Sequence, residues 1–80
     1  MPYVVYVLLS ERDGRQYVGV TERLERRLHE HAVGAVVSTR YRRPLNLLYT
    51  EDFADKGDAW KREKFLKSGK GREWLRQRLR

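Results

Sequence analysis

Two short tyrosine-bearing apolar stretches flank a polar turn in the first twenty residues. Tyr3 to Leu9 (YVVYVLL) is rich in β-branched and aromatic side chains and predicts a strand. With a period of two, Val4, Tyr6 and Leu8 share one face, and Val5, Val7 and Leu9 share the other. Arg12-Asp13-Gly14-Arg15 predicts a turn, because Asp-Gly favours hairpin geometry. Gln16 to Val20 then pairs back as a second strand. The period changes at Thr21, a candidate N-cap, after which Glu22 to Ala32 predicts a helix with Leu24 and Leu28 one turn apart on its buried face. Gly34 follows as the C-cap region, and Ala35 to Pro44 is a basic loop. Leu45 to Phe53 predicts a third strand. Asp55 caps a helix over Lys56 to Lys67, Ser68-Gly69-Lys70-Gly71 breaks it, and Arg72 to Arg80 forms a last short helix packed through Trp74, Leu75 and Leu79. The order ββαβαα predicts an α+β fold, a small three-stranded antiparallel sheet flanked by helices.

Composition narrows this to one domain over residues 1–80 with a modest core. The chain has no cysteine, so disulfides and thiolate metal sites are excluded and packing alone must hold the fold. No apolar run approaches the roughly 20 residues that span a bilayer. Nor does the N-terminus read as a secretory signal. The expected location is the reducing cytoplasm.

Charge adds a partner. The net charge is +7, and it is unevenly spread. Residues 1–11 hold no basic side chain, whereas Lys56 to Arg80 holds ten Lys or Arg against three acids. This balance attracts polyanions, nucleic acid first among them. A solvated basic surface is the plainer alternative. A membrane surface is disfavoured, since no helix pairs a lysine-rich face with a broad aromatic one.

Four residue types carry candidate chemistry. Arg27 and His31 stand four apart and project from one side of the first helix. A guanidinium between Leu24 and Leu28 in angle faces the strands and can grip a phosphate oxygen, or it packs by its stem. His31 titrates near neutrality and suits proton transfer or phosphate contact; a structural histidine at a helix end is the ordinary alternative. His29 points elsewhere, to solvent. Tyr6 and Tyr17 lie on strands that the hairpin makes adjacent. Packing is the usual role of such tyrosines, and a free phenol, with a pKa of about 10, is a weak base without a cation nearby. Glu63 is the sharpest anomaly. Ala59, Trp60 and Leu66 share its face, so its carboxylate is either paired, in a buried bridge reaching as far as Arg27, or a ligand for a hard cation. One such carboxylate fits a one-ion site.

In order and spacing these residues resemble the GIY-YIG nuclease superfamily, most of all its small stand-alone, excinuclease-subunit-like members. Val4-Val5-Tyr6 stands at the first signature and Tyr17-Val18-Gly19 at the second. Arg27 falls at the spacing of the family's catalytic arginine, His31 at a position often His or Tyr, and Glu63 at the metal-binding glutamate. The tail from Leu66 to Leu75 resembles the stand-alone subgroup, and the likeness covers essentially the whole chain. Val4 replaces the first signature's glycine. Val20 stands where some repair members carry lysine, and Asn46 does not match their late asparagine.

The resemblance implies a DNA endonuclease acting in repair or recombination. Glu63 would bind one Mg²⁺ or Mn²⁺ ion, and Arg27 would stabilise charge on the phosphoryl oxygens. Tyr17 or Tyr6 would orient or deprotonate the attacking water, and His31 would assist proton transfer or position the phosphate. Arg40, Arg42, Arg43, Lys67, Lys70 and Arg72 would hold the nucleic-acid backbone, and Tyr41 could stack on a base. Substrate choice would come from a targeting protein or a homodimer. The alternative reading is a non-catalytic nucleic-acid-binding module of the same fold. A protein-interaction domain is a third, disfavoured by the charge.

Overall fold

The computed structural model describes residues 2–79. Three strands, β1 (Tyr3–Ser10), β2 (Gln16–Thr21) and β3 (Leu45–Phe53), form one antiparallel sheet in the order β2-β1-β3. Three helices accompany them: α1 (Leu24–Ala32), α2 (Lys56–Lys67) and α3 (Gly69–Arg78). This is the expected α+β architecture. Both faces of the central strand are covered, so Val5, Tyr6, Val7 and Leu8 are all buried. Val5 and Val7 of β1 and Val18 of β2 pack against Ala59 and Leu66 of α2 and Leu75 of α3, and these six form the core. Tyr6 and Leu8 point the other way, toward α1 and the loop after it.

The hairpin closes between Ser10 and Arg15, whose backbones bond at 2.9 Å, and Asp13 Oδ1 accepts the Arg15 amide at 2.9 Å. That bond holds the Asp13 carboxyl below its usual range. The register sets Tyr6 opposite Gly19 and Leu8 opposite Tyr17, which brings Tyr6 and Tyr17 onto one face. On the other side of β1 the register slips between Val7 and Leu8, where β3 carries one extra residue. Leu48 and Tyr49 consequently both pack against the core.

The first helix begins two residues later than its sequence suggests. Thr21 ends β2, and its Oγ1 accepts the Arg23 amide at 3.1 Å instead of capping. Arg23 takes the N-cap position with no side-chain bond. A hydroxyl two residues before a turning amide competes with the capping role. The other end is as expected. Gly34 adopts φ +82°, its amide bonds to the His31 carbonyl at 3.2 Å, and the Ala35 amide bonds to Glu30 at 2.9 Å. These two bonds make a Schellman stop, which needs a residue tolerant of positive φ. The helix thus ends immediately beyond His31.

The observed spans of β3 and α2 are those expected. Asp55 is the N-cap of α2 but makes no side-chain capping bond. The break after α2 is shorter than four residues. Ser68 alone joins the two helices: its hydroxyl donates to the Phe65 carbonyl at 2.5 Å and accepts the Gly71 amide at 3.1 Å. Gly69 to Gly71 therefore form the first turn of α3, where free amides are tolerated. Arg80, expected at the end of this helix, lies outside the described residues. Arg62 locks α2 to the sheet through a 2.7 Å bond to Glu51, with its guanidinium 4.4 Å from the Trp74 ring centroid.

Candidate active site

The α1 face of the sheet carries the polar cluster. Tyr6 and Tyr17 project from neighbouring strands, and His31 descends on them from the last turn of α1. Its ring centroid is 5.7 Å from that of Tyr6 and 5.5 Å from that of Tyr17, edge-on to both. The Tyr6 phenol and His31 Nε2 are 2.9 Å apart, and His31 Nδ1 is 2.8 Å from Thr39 Oγ1. Tyr6 and His31 are each only 1% exposed, and Thr39 is fully buried. Both ring nitrogens are thus committed inside the protein. Burial, reinforced by the nearby Arg27 charge, lowers the imidazole pKa, so the ring is neutral at pH 7.

Arg27 lies one turn before His31 and sits beside the Tyr6 phenol. Its guanidinium also bonds to Glu30 at 3.1 Å and is 38% exposed, so one part touches the cluster and another meets solvent. The Tyr6 phenol and the Glu30 carboxylate both raise its pKa, which keeps it charged. A neutral imidazole carries one proton, so one of its two bonds, to Tyr6 or to Thr39, is donated by the ring and the other is accepted by it. Burial raises the Tyr6 pKa, with Arg27 opposing the rise, and the phenol stays protonated at neutral pH.

Gly19 makes room for this arrangement. A Cβ at Gly19 would clash with the Tyr6 hydroxyl and the ring carbon that bears it, so the Tyr6 side chain lies directly across the glycine, over the edge strand β2. Tyr17 sits two residues away, only partly buried, and its phenol accepts the Ser38 hydroxyl at 3.0 Å.

Glu63 belongs to α2, which packs on the opposite face. It follows Ala59 by one helical turn, so it points to the sheet and is 16% exposed. Its charge reaches Tyr6 and contributes to the raised phenol pKa. Tyrosines, imidazole and guanidinium thus lie on one face of the sheet, and the Glu63 carboxylate belongs to the helix on the other. The Glu63 partner is Lys67 at 3.3 Å, not Arg27. Trp60, expected beside Glu63 on the apolar face, is 61% exposed and turns outward. It lines a surface cleft with Tyr3, Val20 and Lys56.

The basic residues divide into groups. Lys67 is tied to Glu63. Arg40 and Arg43 are turned onto the backbone: Arg40 Nε donates to the Gly34 carbonyl at 2.9 Å, and Arg43 donates to the carbonyls of Arg40 and Ala32 at 2.9 and 3.3 Å. Arg42 and Arg72 line one cleft together, joined by Arg15 and Arg76. Lys70 is exposed on the first turn of α3, and Tyr41 is exposed near the 3₁₀ turn at Arg40–Arg42. Thr39, Ser38 and Glu30 were not singled out by sequence reasoning. The Ser38-Thr39 hydroxyl pair within a basic loop was the available signal.

Among the described residues no group of three or more His, Cys, Asp or Glu could hold a metal. Nor is any described helix long and apolar enough to cross a membrane.

A family model described as the GIY-YIG catalytic domain matches residues 2–77. The chain is 45% identical over 64 residues to a UPF0213 protein of Lactiplantibacillus plantarum, covering 76% of this chain and 62% of the relative. It is 39% identical over 72 residues to a UPF0213 protein of Streptococcus pneumoniae, covering 88% and 73%. The chain thus spans less than two thirds of the first relative's length. The solution NMR structure of a UPF0213 protein from Bacillus halodurans superposes with a TM-score of 0.61 at 35% identity, covering 96% of this chain and 84% of that one.

Proposed function

The chain belongs to the GIY-YIG catalytic-domain family, and on that premise we propose that it is a divalent-metal-dependent endonuclease that hydrolyses DNA phosphodiester bonds. The observation that carries the proposal is the convergence of Tyr6, Tyr17, Arg27 and His31 on one face, with the largely buried Glu63 carboxylate on the helix behind the sheet.

The donor set fits a hard cation. Glu63 offers a largely buried carboxylate whose one ion-pair partner is a flexible, half-exposed lysine that could swing away. Mg²⁺ or Mn²⁺ takes oxygen ligands and keeps several waters, so one carboxylate suffices. When bound, the ion supplies Lewis-acid polarisation of the phosphate and stabilises charge on the leaving oxygen. The chain's own residues do the rest. Arg27 donates to the non-bridging oxygens as charge grows on them. Tyr17, the more accessible phenol, orients the attacking water. Tyr6 holds Arg27 in place, and His31 fixes Tyr6 from within. Arg42, Lys67, Lys70 and Arg72 face the phosphate backbone, with Arg40 and Arg43 shaping the loop beside it. Cytoplasmic DNA repair or recombination suits such an activity, and a targeting protein or a second copy of the chain would select the substrate.

A second reading is a non-catalytic nucleic-acid-binding module. Val20 favours it, because no lysine stands at that position to assist a phenol.

The test is cleavage of supercoiled plasmid and of branched and single-stranded DNAs, with Mg²⁺ or Mn²⁺ against EDTA. Metal-dependent cutting that disappears in both Arg27→Ala and Glu63→Ala supports the nuclease and its site. Full activity in Glu63→Ala overturns the site, and binding without cutting on every substrate favours the second reading.

A further inference from the structure

Four arginines line a cleft of about 520 Å³ away from the tyrosine cluster. Arg15 comes from the hairpin turn and Arg42 from the 3₁₀ turn. Arg72 and Arg76 come from α3, where a spacing of four places them on one face. Gly14 and Gln16 complete the lining. Three separate elements thus deliver positive charge to one concave surface. The compensation is thin. Arg42 meets Asp13 only at 3.8 Å, and Arg76 shares an exposed carboxylate, Glu73, at 3.0 Å. Among the described residues, Arg15 and Arg72 form no ion pair. Like charges gathered in a concavity focus positive potential, and an anion entering it relieves their repulsion.

The cleft also neighbours the candidate active site through two shared lining residues. A smaller cleft of about 200 Å³ is lined by Tyr17, Val18, Leu66 and Lys67, and it shares Gln16 and Arg72 with the arginine cleft. A chain of phosphates could therefore run from Tyr17 past Gln16 and Arg72 to Arg15, Arg42 and Arg76. Guanidinium forks match phosphodiester oxygens, which repeat along such a chain as a free anion does not.

We propose that the cleft between the hairpin turn and α3 is a second phosphodiester-binding subsite, holding the backbone of the same nucleic-acid strand that passes Tyr17. It rests on the nucleic-acid reading above and adds Arg15 and Arg76 as contacts, with a direction for the strand. The cleft needs no metal, so its test is binding in EDTA.

The experiment measures fluorescence anisotropy of a short labelled single strand and a short labelled duplex against salt concentration. The unsubstituted chain is compared with Arg15→Gln/Arg76→Gln and with Lys56→Gln/Lys61→Gln, which removes the same charge from α2. Thermal melts check that both variants fold. The expected result is a log–log salt slope shallower by about 2 in the arginine variant on at least one probe, with the lysine variant near the parent. Equal slopes in the arginine variant and the parent overturn the subsite. So do equal losses in both variants, or no salt-dependent binding by the parent. Altered slopes without any cleavage by the parent keep the subsite and remove the nuclease; cleavage with unaltered slopes does the reverse.

Discussion

The Tyr6 phenol and the His31 imidazole meet at 2.9 Å where neither side chain reaches solvent. Tyr6 is thereby a poor candidate for the base that activates water, and His31 a poor one for direct phosphate contact. Their joint effect is positional. Thr39 fixes the imidazole, the imidazole fixes the phenol, and the phenol sits beside the only member of this set that extends to solvent, Arg27.

Thr39 should therefore matter beyond its size. Thr39→Val keeps the volume but leaves His31 Nδ1 without its partner. Chemical denaturation should show a loss of about 1–3 kcal/mol, the cost of an unsatisfied buried polar group. Thr39→Ser should recover most of it. Equal stability of the valine and serine variants would remove Thr39 from the relay.

The two tyrosines should separate experimentally. Tyr17→Phe loses an accessible phenol and a bond to Ser38, so it should lower DNA cleavage with little change in melting temperature. Tyr6→Phe leaves His31 Nε2 without its partner and should destabilise the fold by about 1–3 kcal/mol. Were Tyr17→Phe to cut as well as the parent, Tyr17 would not orient the water.

Acid should weaken the fold through His31. Burial and then Arg27 lower its folded pKa, whereas the unfolded chain titrates at about 6.5. Below that value the unfolded state binds the extra proton first, so stability rises with pH across the window between the two values. It is fully present above about pH 6.5 and lost progressively as pH falls below it. Melting curves from about pH 8 to about pH 5 should show this decline, and His31→Gln should flatten it. An equally steep decline in the variant would assign the effect to other groups.

Gly19→Ala should disturb the site more than any surface change. The added methyl would clash with the Tyr6 hydroxyl. Tyr6 must then leave His31, at a cost of about 1–3 kcal/mol for overpacking, together with cleavage. A variant as stable and active as the parent would show that the Tyr6 ring can lie elsewhere.

The sequence pattern carried the strands because the β-branched and aromatic run at Tyr3 to Leu9 and the Asp13-Gly14 turn act locally. Pro44 and Asp55 likewise bracket β3 with local chemistry. Thr21 misled because one hydroxyl can serve two turns, and only the backbone path decides which amide it takes. Gly69 and Gly71 read as breakers, yet a helix's first turn needs nothing from its own amides and Ser68 caps it. Glu63, Arg27 and the tyrosines stood out by spacing. Thr39 did not, because the Gly34 stop and the loop behind it decide what faces His31. The arginine cleft was invisible for the same reason: Arg15 and Arg76 are 61 residues apart and meet only in the folded chain.

The single-residue corner at Ser68 has a geometric corollary. Ser68 is extended, at φ −79° and ψ 167°, so helical phase is not carried across it, and the step from Glu63 to Arg72 and Arg76 is set by the two bonds of one hydroxyl. A residue inserted there would separate the Phe65 carbonyl from the Gly71 amide that this hydroxyl joins. The corner is a hinge pinned shut: one oxygen atom holds the helix of the carboxylate to the helix of the cleft arginines.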